Sequence, residues 1–408
     1  MAAPTTPMRW PDAWKDPAAL DLLRGTTVDC LFIGPGEDLA EVRARASHLG
    51  LQLPATDALA AVEIVKGVWP GVKMGRSGGG SSAGPTGVPW VDSNGWLIRL
   101  TRALHPEVSV WVDAPPAAKT FITADSYLIA IADSAAYGGN WIVSLDDPLT
   151  LALAARRPEA LATWKKLTAA AAFFAAHQDW RSYVPLAVVG VVSDFAEENE
   201  FFSRELLNLL ARAGQHYRIL PKDKVSASSF DTLRAVIYPD VQAPSPTLRK
   251  HVLTFVEAGG MLIAGPQWGA APGAPARPDR SERYSWRVYG KGKIALANAE
   301  PDDPYLWANE SVVMVSHRYD LVRFWNGGAA GAYCTMAPGG RCAVVHLLFY
   351  AFRGPDSATV RIAGRYRSAR AFTVDQPEVP NLVVEQQTGA VEVHLPPVSQ
   401  YVALHLEV

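Results

Sequence analysis

The chain has 408 residues, a formal net charge of −2 and 19% charged residues. Its 49% hydrophobic content is that of an ordinary globular protein, and its length suits two or three domains. Because no long basic or acidic run occurs, nucleic acid and anionic membranes are excluded as main partners.

Targeting and cofactor signals are scarce. No segment is long and apolar enough to span a membrane, and the N-terminal residues lack the pattern of a signal peptide. We therefore expect a soluble protein, either cytoplasmic or, if a signal peptide has been removed, periplasmic or secreted. Cys30, Cys334 and Cys342 are expected to be free thiols, with a bridge between the last two across a hairpin as the alternative. No nucleotide, dinucleotide or metal motif is present, so neither a cofactor nor a metal is expected.

Residues 1–182 alternate strand-like and helix-like segments, which predicts a parallel sheet covered by helices. A complete eight-fold barrel needs about 250 residues, so this domain is interpreted as an abbreviated or irregular (β/α) barrel. The expected strands are residues 26–34, 51–54, 61–72, 108–113 and 141–145, and the expected helices are residues 38–49, 95–105, 124–137 and 158–176.

Residues 183–328 continue the alternation, with short apolar strands that are each followed by a helix with a glycine stop. This pattern predicts a flavodoxin-like α/β domain. From residue 329 to 408 the pattern changes to alternating runs separated by turn residues, which predicts a C-terminal antiparallel β-sandwich.

The run GVKMGRSGGGSSAGPTGVPWVDSNGW at residues 71–96 lies between a predicted strand and a predicted helix. Its glycines permit close approach of backbone to a ligand, and its tryptophans beside Asp and Asn suit a sugar ring. The alternative is a solvated loop in which Asp92 or Ser93 caps the next helix.

Carboxyl groups follow several predicted strands, and ligands of parallel βα folds bind at that edge of the sheet. Asp113 follows one strand, Asp146 follows another, and Asp92 precedes the helix after the glycine run. A glycosidase needs two carboxyl groups across the scissile bond, so these three are the candidate catalytic residues. Each has the alternative of capping a helix or forming a turn.

The candidate substrate-binding residues surround the same edge. Tryptophans would stack on sugar rings, and polar side chains would bind hydroxyl groups. Asp147 is included although, preceding a proline, it has the alternative of capping a helix. The set comprises Trp69, Arg76, Trp90, Asn94, Trp96 and Asp147.

From residue 186 onward the chain resembles the amidotransferase-like domain and C-terminal β-sandwich of multidomain glycoside hydrolases of the β-galactosidase type. The segments that carry the resemblance are GVVSDFAEENEFFSRELLNLLARAGQHYRIL, LRAVIYP, LRKHVLTFVEAGGMLIAGPQWG, GKGKIALA, RYDLVRFWNG, RCAVVHLLFYAF and VSQYVALHLEV. It implies a catalytic barrel in residues 1–182 and a trimerising middle domain. The family's paired glutamates cannot be placed in this sequence, because Glu63 falls inside a predicted strand and no Asn-Glu pair ends any strand. Aspartates would then carry much of the acid–base chemistry.

These observations lead to a hypothesis of glycoside hydrolysis by carboxylate acid–base catalysis on an oligo- or polysaccharide. The protein would form a homo-oligomer, either a dimer or a trimer. The alternative is a non-catalytic carbohydrate-binding or assembly protein that retains the architecture. A third interpretation is that a partner subunit completes the cleft.

Overall fold

The computed structural model describes residues 6–54, 61–73, 75–77, 80–82, 90–276, 282–351 and 354–408. Within these ranges, no helix is long and apolar enough to cross a membrane.

Up to residue 185, the part of the chain that the structure describes contains ten strands and five α-helices. The strands are β1 Pro7–Arg9, β2 Cys30–Phe32, β3 Val62–Lys66, β4 Gly71–Lys73, β5 Gly75–Ser77, β6 Gly80–Ser82, β7 Trp90–Asp92, β8 Ser109–Asp113, β9 Asn140–Trp141 and β10 Val184–Pro185. The helices are α1 Ala40–His48, α2 Gly95–Leu104, α3 Ala124–Ala136, α4 Asp147–Ala154 and α5 Pro158–Ala176.

Parallel strands form an open sheet at the centre of this part. β3 pairs with β8 and β8 with β9, while β1 pairs with β2. Single parallel bridges, Met8 to Val143 and Cys30 to Gln52, join these pieces in the order Gln52, β2, β1, β9, β8, β3. Within the described ranges no ladder closes this sheet, so the abbreviated (β/α) barrel stays a prediction.

The two faces of the sheet are packed differently. Val110 and Val112 point into a large core that includes the helices and part of the C-terminal sandwich. The opposite face carries a small cluster in which Phe32 and Trp111 meet edge to face at 5.9 Å. One face is therefore sealed by helices, and the other holds a narrow apolar layer.

The helices at residues 95–105, 124–137 and 158–176 are confirmed as α2, α3 and α5. The expected strand 61–72 is instead divided into β3 and β4, with residues 67–70 between them in no regular element. The glycine run holds two antiparallel pairings, β4 with β7 and β5 with β6. Residues 74, 78–79 and 83–89 of this run lie outside the described residues.

The second α/β unit is built on a seven-stranded sheet of order β12-β11-β13-β14-β17-β16-β15. The first five of these strands are parallel, and the last two are antiparallel additions at one edge. The flavodoxin-like order at its centre fits the sequence expectation, which did not include the two edge strands. The elements are β11 Val189–Ser193, β12 Tyr217–Pro221, β13 Ala235–Tyr238, β14 Met261–Ala264, β15 Ala274–Ala276, β16 Tyr284–Tyr289 and β17 Gly292–Ala297, with α6 Glu200–Arg212, α7 Pro246–Glu257 and α8 Pro304–Val315.

The C-terminal part is a sandwich of a five-stranded sheet, β10-β19-β20-β25-β22, and a four-stranded sheet, β18-β21-β24-β23. Val345 and Leu347 face the core between the two sheets, whereas Val344 and Leu348 face the N-terminal core. The larger sheet is therefore buried on both faces. The strands are β18 Val322–Trp325, β19 Ala330–Met336, β20 Cys342–Phe349, β21 Ala358–Ala363, β22 Ser368–Thr373, β23 Val383–Gln387, β24 Ala390–Leu395 and β25 Tyr401–Glu407.

All three cysteines are free thiols, as expected. Cys30 and Cys334 are buried, and Cys342 is half-buried. Cys334 lies opposite Val345 in the β19–β20 ladder, so the alternative of a cross-strand bridge to Cys342 is not realised.

Candidate functional site

A cleft of about 170 Å³ lies between the parallel sheet and the C-terminal sandwich. The turn after β3, the end of β7 and the first turns of α3 form its N-terminal walls, and the segment after β20 closes it from the sandwich side. The side chains that line it include Trp69, Asp92, Thr123, Asp125, Ser126 and Tyr350.

Trp69, one of the predicted sugar-binding residues, lines this cleft. Its ring meets Tyr127 edge to face at 5.3 Å and Trp141 at 5.0 Å, so it is fixed against the N-terminal core. The remaining part of the half-buried ring lines the cleft. A rigid aromatic face next to hydroxyl and carboxyl groups is the arrangement that binds a sugar ring.

Asn94 fixes the backbone that leads to Trp69. Its side-chain amide accepts from the Val68 backbone N–H at 2.8 Å and donates to the Val68 carbonyl at 2.9 Å. It is 1% exposed, and it also donates to Asp133 at 3.2 Å. Asn94 therefore positions the cleft, because its side chain is already committed to the protein.

Asp133 joins the N-terminal part to the sandwich behind the cleft. It is fully buried on α3 and accepts hydrogen bonds from the Ser93 hydroxyl at 2.9 Å, the Asn94 backbone N–H at 2.9 Å and the Tyr350 hydroxyl at 2.7 Å. Burial raises the pKa of this carboxyl, and the hydrogen bonds from Asn94, Tyr350 and Ser93 oppose that rise. We call these four residues the Asp133 lock.

Two carboxylates line the cleft, and both have a cationic neighbour. Asp92 lies 3.6 Å from the guanidinium of Arg212 on α6, and Asp125 pairs with Lys166 on α5. Asp92 is one of the three predicted catalytic residues. Asp125 is not among them, since an Asp in the first turn of a helix is an ordinary helix-stabilising residue. Its one distinguishing signal is its position two residues after Thr123, the N-cap of α3.

Asp113 occupies the carboxyl end of β8 as predicted, and its carboxylate faces Arg9 of β1 at 2.9 Å. Arg9 also lies over the Phe32 ring, at 5.8 Å from the centroid. This pair sits on the face of the sheet that carries the small Phe32–Trp111 cluster. Among the described lining residues of the 170 Å³ cleft, Asp113 does not occur.

Asp146 is 1% exposed and caps α4 by accepting from the Leu149 backbone N–H at 2.9 Å. It also accepts from the Tyr127 hydroxyl at 3.0 Å. Asp147 is exposed in the first turn of α4, with its carboxylate 3.5 Å from the Lys119 backbone N–H. The helix-capping alternative thus applies to Asp146. Its partner Tyr127 packs against Trp69 of the cleft.

Three predicted residues remain, namely Trp96, Arg76 and Trp90. Trp96 is half-buried on α2 and packs against the core of the second α/β unit. The backbones of Arg76 and Trp90 belong to β5 and β7, and their side chains lie outside the described residues.

One group of side chains has the composition of a metal site. Glu385, Glu392 and His394 bring their ligand atoms within 4.8 Å of one another on the β23–β24 pair. His394 lies 3.4 Å from Glu385 and shares a hydrogen bond of 3.0 Å with Thr359. Contacts of this kind are ordinary among surface side chains. That the protein binds no metal stays a prediction.

The sequence matches no known family, and it matches no curated protein. Among solved structures, the chain is similar to an α-L-fucosidase from Paenibacillus thiaminolyticus, with a TM-score of 0.49 and 11% identity over 74% of this chain and 60% of that one. It is also similar to a β-galactosidase from Bacillus circulans sp. alkalophilus, with a TM-score of 0.46 and 10% identity over 75% of this chain and 62% of that one. A third similar structure is a rhamnosidase from Novosphingobium sp. PP1Y, with a TM-score of 0.48 and 10% identity over 91% of this chain and 38% of that one. The chain spans less than two thirds of each of these proteins, and the likeness is a loose one of fold.

Proposed function

We propose that this protein binds carbohydrate in the 170 Å³ cleft and hydrolyses a glycosidic bond with Asp92 and Asp125 as its two carboxyl groups. The observation that carries the proposal is that one cleft combines the fixed ring of Trp69 with these two carboxylates. A sugar stacked on Trp69 would present its hydroxyl groups to Thr123 and Ser126, whose side chains carry hydroxyls.

Glycosidases divide two roles between their carboxyl groups. One protonates the leaving oxygen, and the other attacks the anomeric carbon or activates a water molecule. In this proposal Asp92 and Asp125 share these roles, while Asp113 and Asp146 act as supports for the sheet edge and for α4. Each support is already held by a protein partner, Arg9 for Asp113 and the α4 N-terminus for Asp146.

The second candidate function is carbohydrate binding without hydrolysis. It is favoured by the ion pairs of both carboxylates, because Arg212 and Lys166 occupy positions from which they would compete with a substrate for Asp92 and Asp125. Assembly into a dimer or trimer remains part of either proposal.

Turnover on a panel of aryl-glycosides and polysaccharides separates the two candidates. With hydrolysis, Asp92→Asn and Asp125→Asn are each expected to lower kcat by about a hundredfold or more, the usual contribution of an acid or base group. Asp302→Asn, an exposed aspartate of the second α/β unit, is the matched control and should leave the rate unchanged. A loss below about tenfold in both cleft variants, with the fold intact, would rule out hydrolysis by this pair.

Binding is measured on the same variants. Trp69→Ala is expected to abolish saturable sugar binding in either candidate, because the ring is the apolar platform of the cleft. Saturable binding with no turnover on any member of the panel would establish the second candidate. Binding that is unaffected by Trp69→Ala would reject both.

A further inference from the structure

A small cavity of about 10 Å³ lies where three parts of the chain meet. Its walls come from α2 and the end of α3, from the short 3-10 helix Gln178–Ser182 that follows α5, and from β19 and β20 of the sandwich. A volume of this size holds one particle about as large as a water molecule. The cavity is separate from the 170 Å³ cleft, since the two have no described lining residue in common.

Two arginines line this cavity, and neither is paired with a carboxylate among the described residues. Arg102 of α2 donates to the Tyr137 carbonyl at 3.1 Å and to the Arg181 backbone carbonyl at 2.9 Å. Arg181 donates to the Asn140 side-chain oxygen at 2.6 Å. Burial and the neighbouring positive charge of Arg102 lower the pKa of Arg181. Because all three acceptors are neutral, two positive charges lie close together without a counter-ion.

A glycine makes room for one of these charges. Gly138 follows α3 with a φ of +86°, and a Cβ atom there would lie 2.0 Å from Nη1 of Arg102. Any side chain at position 138 would therefore push the Arg102 guanidinium out of its place.

His346 of β20 adds a neutral donor to the cavity wall. It is 2% exposed, and its Nδ1 is hydrogen-bonded to the Tyr401 hydroxyl at 2.7 Å. Burial lowers the pKa of His346 to about 3, so the ring is neutral at pH 7. Among the described residues His346 is the one hydrogen-bond partner of the Tyr401 hydroxyl, so that hydroxyl donates to Nδ1 and the ring proton lies on Nε2. The Nε2–H group has no acceptor among the described residues.

We propose that this cavity binds one small monovalent anion, such as chloride, between the Arg102 and Arg181 guanidiniums and the Nε2–H of His346. Buried charges require a partner of opposite sign, and the described lining holds no Asp or Glu. The volume excludes phosphate, sulfate and carboxylate groups, whereas it is close to that of a single monatomic ion. This inference goes beyond the proposed function and does not depend on it.

The anion would stabilise the folded chain, because its ligands come from α2, the 3-10 helix and the sandwich and are brought together only by folding. Urea denaturation of the whole protein tests this effect, with sodium chloride replacing sodium gluconate at constant ionic strength. Gluconate has the same charge but is too large for the cavity. The urea midpoint should rise along a saturation curve, with about a hundredfold shift in the folding equilibrium when chloride is a hundred times its dissociation constant. Equal midpoints in the two salts would overturn the inference and favour a water molecule as the occupant.

Variants of the two arginines locate the effect. Arg102→Gln and Arg181→Gln should each raise the chloride concentration of half-saturation by at least about tenfold, because each removes a hydrogen bond between charged groups. Arg365→Gln, at an exposed position of the sandwich, is the matched control and should keep the wild-type response. If all three variants respond as the wild type does, the chloride effect is a general salt effect and the inference is wrong.

Anomalous diffraction from wild-type crystals grown with sodium bromide decides the matter even if the arginine variants do not fold. Bromide has the charge of chloride and is a strong anomalous scatterer. The expected result is a peak in contact with both guanidiniums and with Nε2 of His346. The absence of a peak there contradicts the proposal. A peak combined with a stability that does not depend on chloride would mean an adventitious ion only, and would also contradict it.

Discussion

The Asp133 lock makes a quantitative prediction about stability. Tyr350→Phe removes a hydroxyl that donates to a fully buried carboxylate at 2.7 Å and leaves the ring in place. A hydrogen bond to a charged group contributes about 1.5–3 kcal/mol, so at pH 7 we expect a loss of about 2 kcal/mol in the free energy of unfolding. That change corresponds to about a thirtyfold shift in the folding equilibrium.

The pH dependence of this loss follows from the charge on Asp133. Burial raises the pKa of Asp133 in the folded protein. Protonation of Asp133 therefore favours the folded state at low pH, and this contribution to the free energy of unfolding is lost as pH rises through the folded pKa. Removing the Tyr350 donor raises the pKa further. The difference between variant and wild type should therefore shrink on acidification toward about 1 kcal/mol, the value of a hydrogen bond between neutral groups.

Urea denaturation followed by circular dichroism over a pH series measures both quantities. Tyr305→Phe is the matched control, because the Tyr305 ring is 41% exposed on α8 and lies outside the lock. Equal unfolding free energies for Tyr350→Phe, Tyr305→Phe and wild type at pH 7 would refute the argument. So would a deficit of Tyr350→Phe that grows toward low pH.

Two further predictions concern other buried groups. Lys222 donates to Asp240 at 3.0 Å and also pairs with Asp194, and burial raises the pKa of Asp240. Lys222→Met should therefore lower the free energy of unfolding, measured by urea denaturation, by about 3 kcal/mol at pH 7 and by less at lower pH. The control Lys291→Met, at an exposed position, should leave it unchanged. Burial lowers the pKa of His346 to about 3. Below pH 6.5 the unfolded chain binds a proton at this residue that the folded protein does not, so the free energy of unfolding should fall by about 2 kcal/mol at pH 5. His346→Gln should flatten the acid side of the stability profile, and an unchanged slope would contradict this cause.

Regular elements could be predicted from sequence where caps and periodicity agree. α5 occupies the predicted residues 158–176, and α2 begins after the predicted Asp92–Asn94 start signal. The strand Cys342–Phe349 was also predicted, although alternation does not explain it. Its near-continuous apolar run reflects burial on both faces, against the smaller sheet and against the N-terminal core.

The glycine run could not be predicted in detail, because glycine has no preference that distinguishes a loop from a hairpin. Its β4–β7 pairing and the division of the strand at Trp69 depend on the tether from Asn94 to Val68, which is a tertiary contact. Ion pairs between distant residues could not be predicted either. No local pattern shows that Asp92 would face Arg212.

Two sequence signals fall on residues of the candidate cleft. A strand end points to Trp69, since carboxyl edges of parallel strands collect ligands, and the position before the helix that follows the glycine run points to Asp92. They do not identify Asp125 or Tyr350, because the first belongs to a helix start and the second comes from the sandwich 217 residues after Asp133. Asp125 and Tyr350 come together only because the sandwich packs against the N-terminal core.

The most direct test of the account is a crystal structure of Asp125→Asn bound to the oligosaccharide with the highest affinity. The account predicts a sugar ring stacked on Trp69, with its hydroxyl groups within hydrogen-bond distance of Asp92 and of residue 125. A sugar bound instead at the Arg9–Asp113 pair, or elsewhere with the cleft empty, would contradict it.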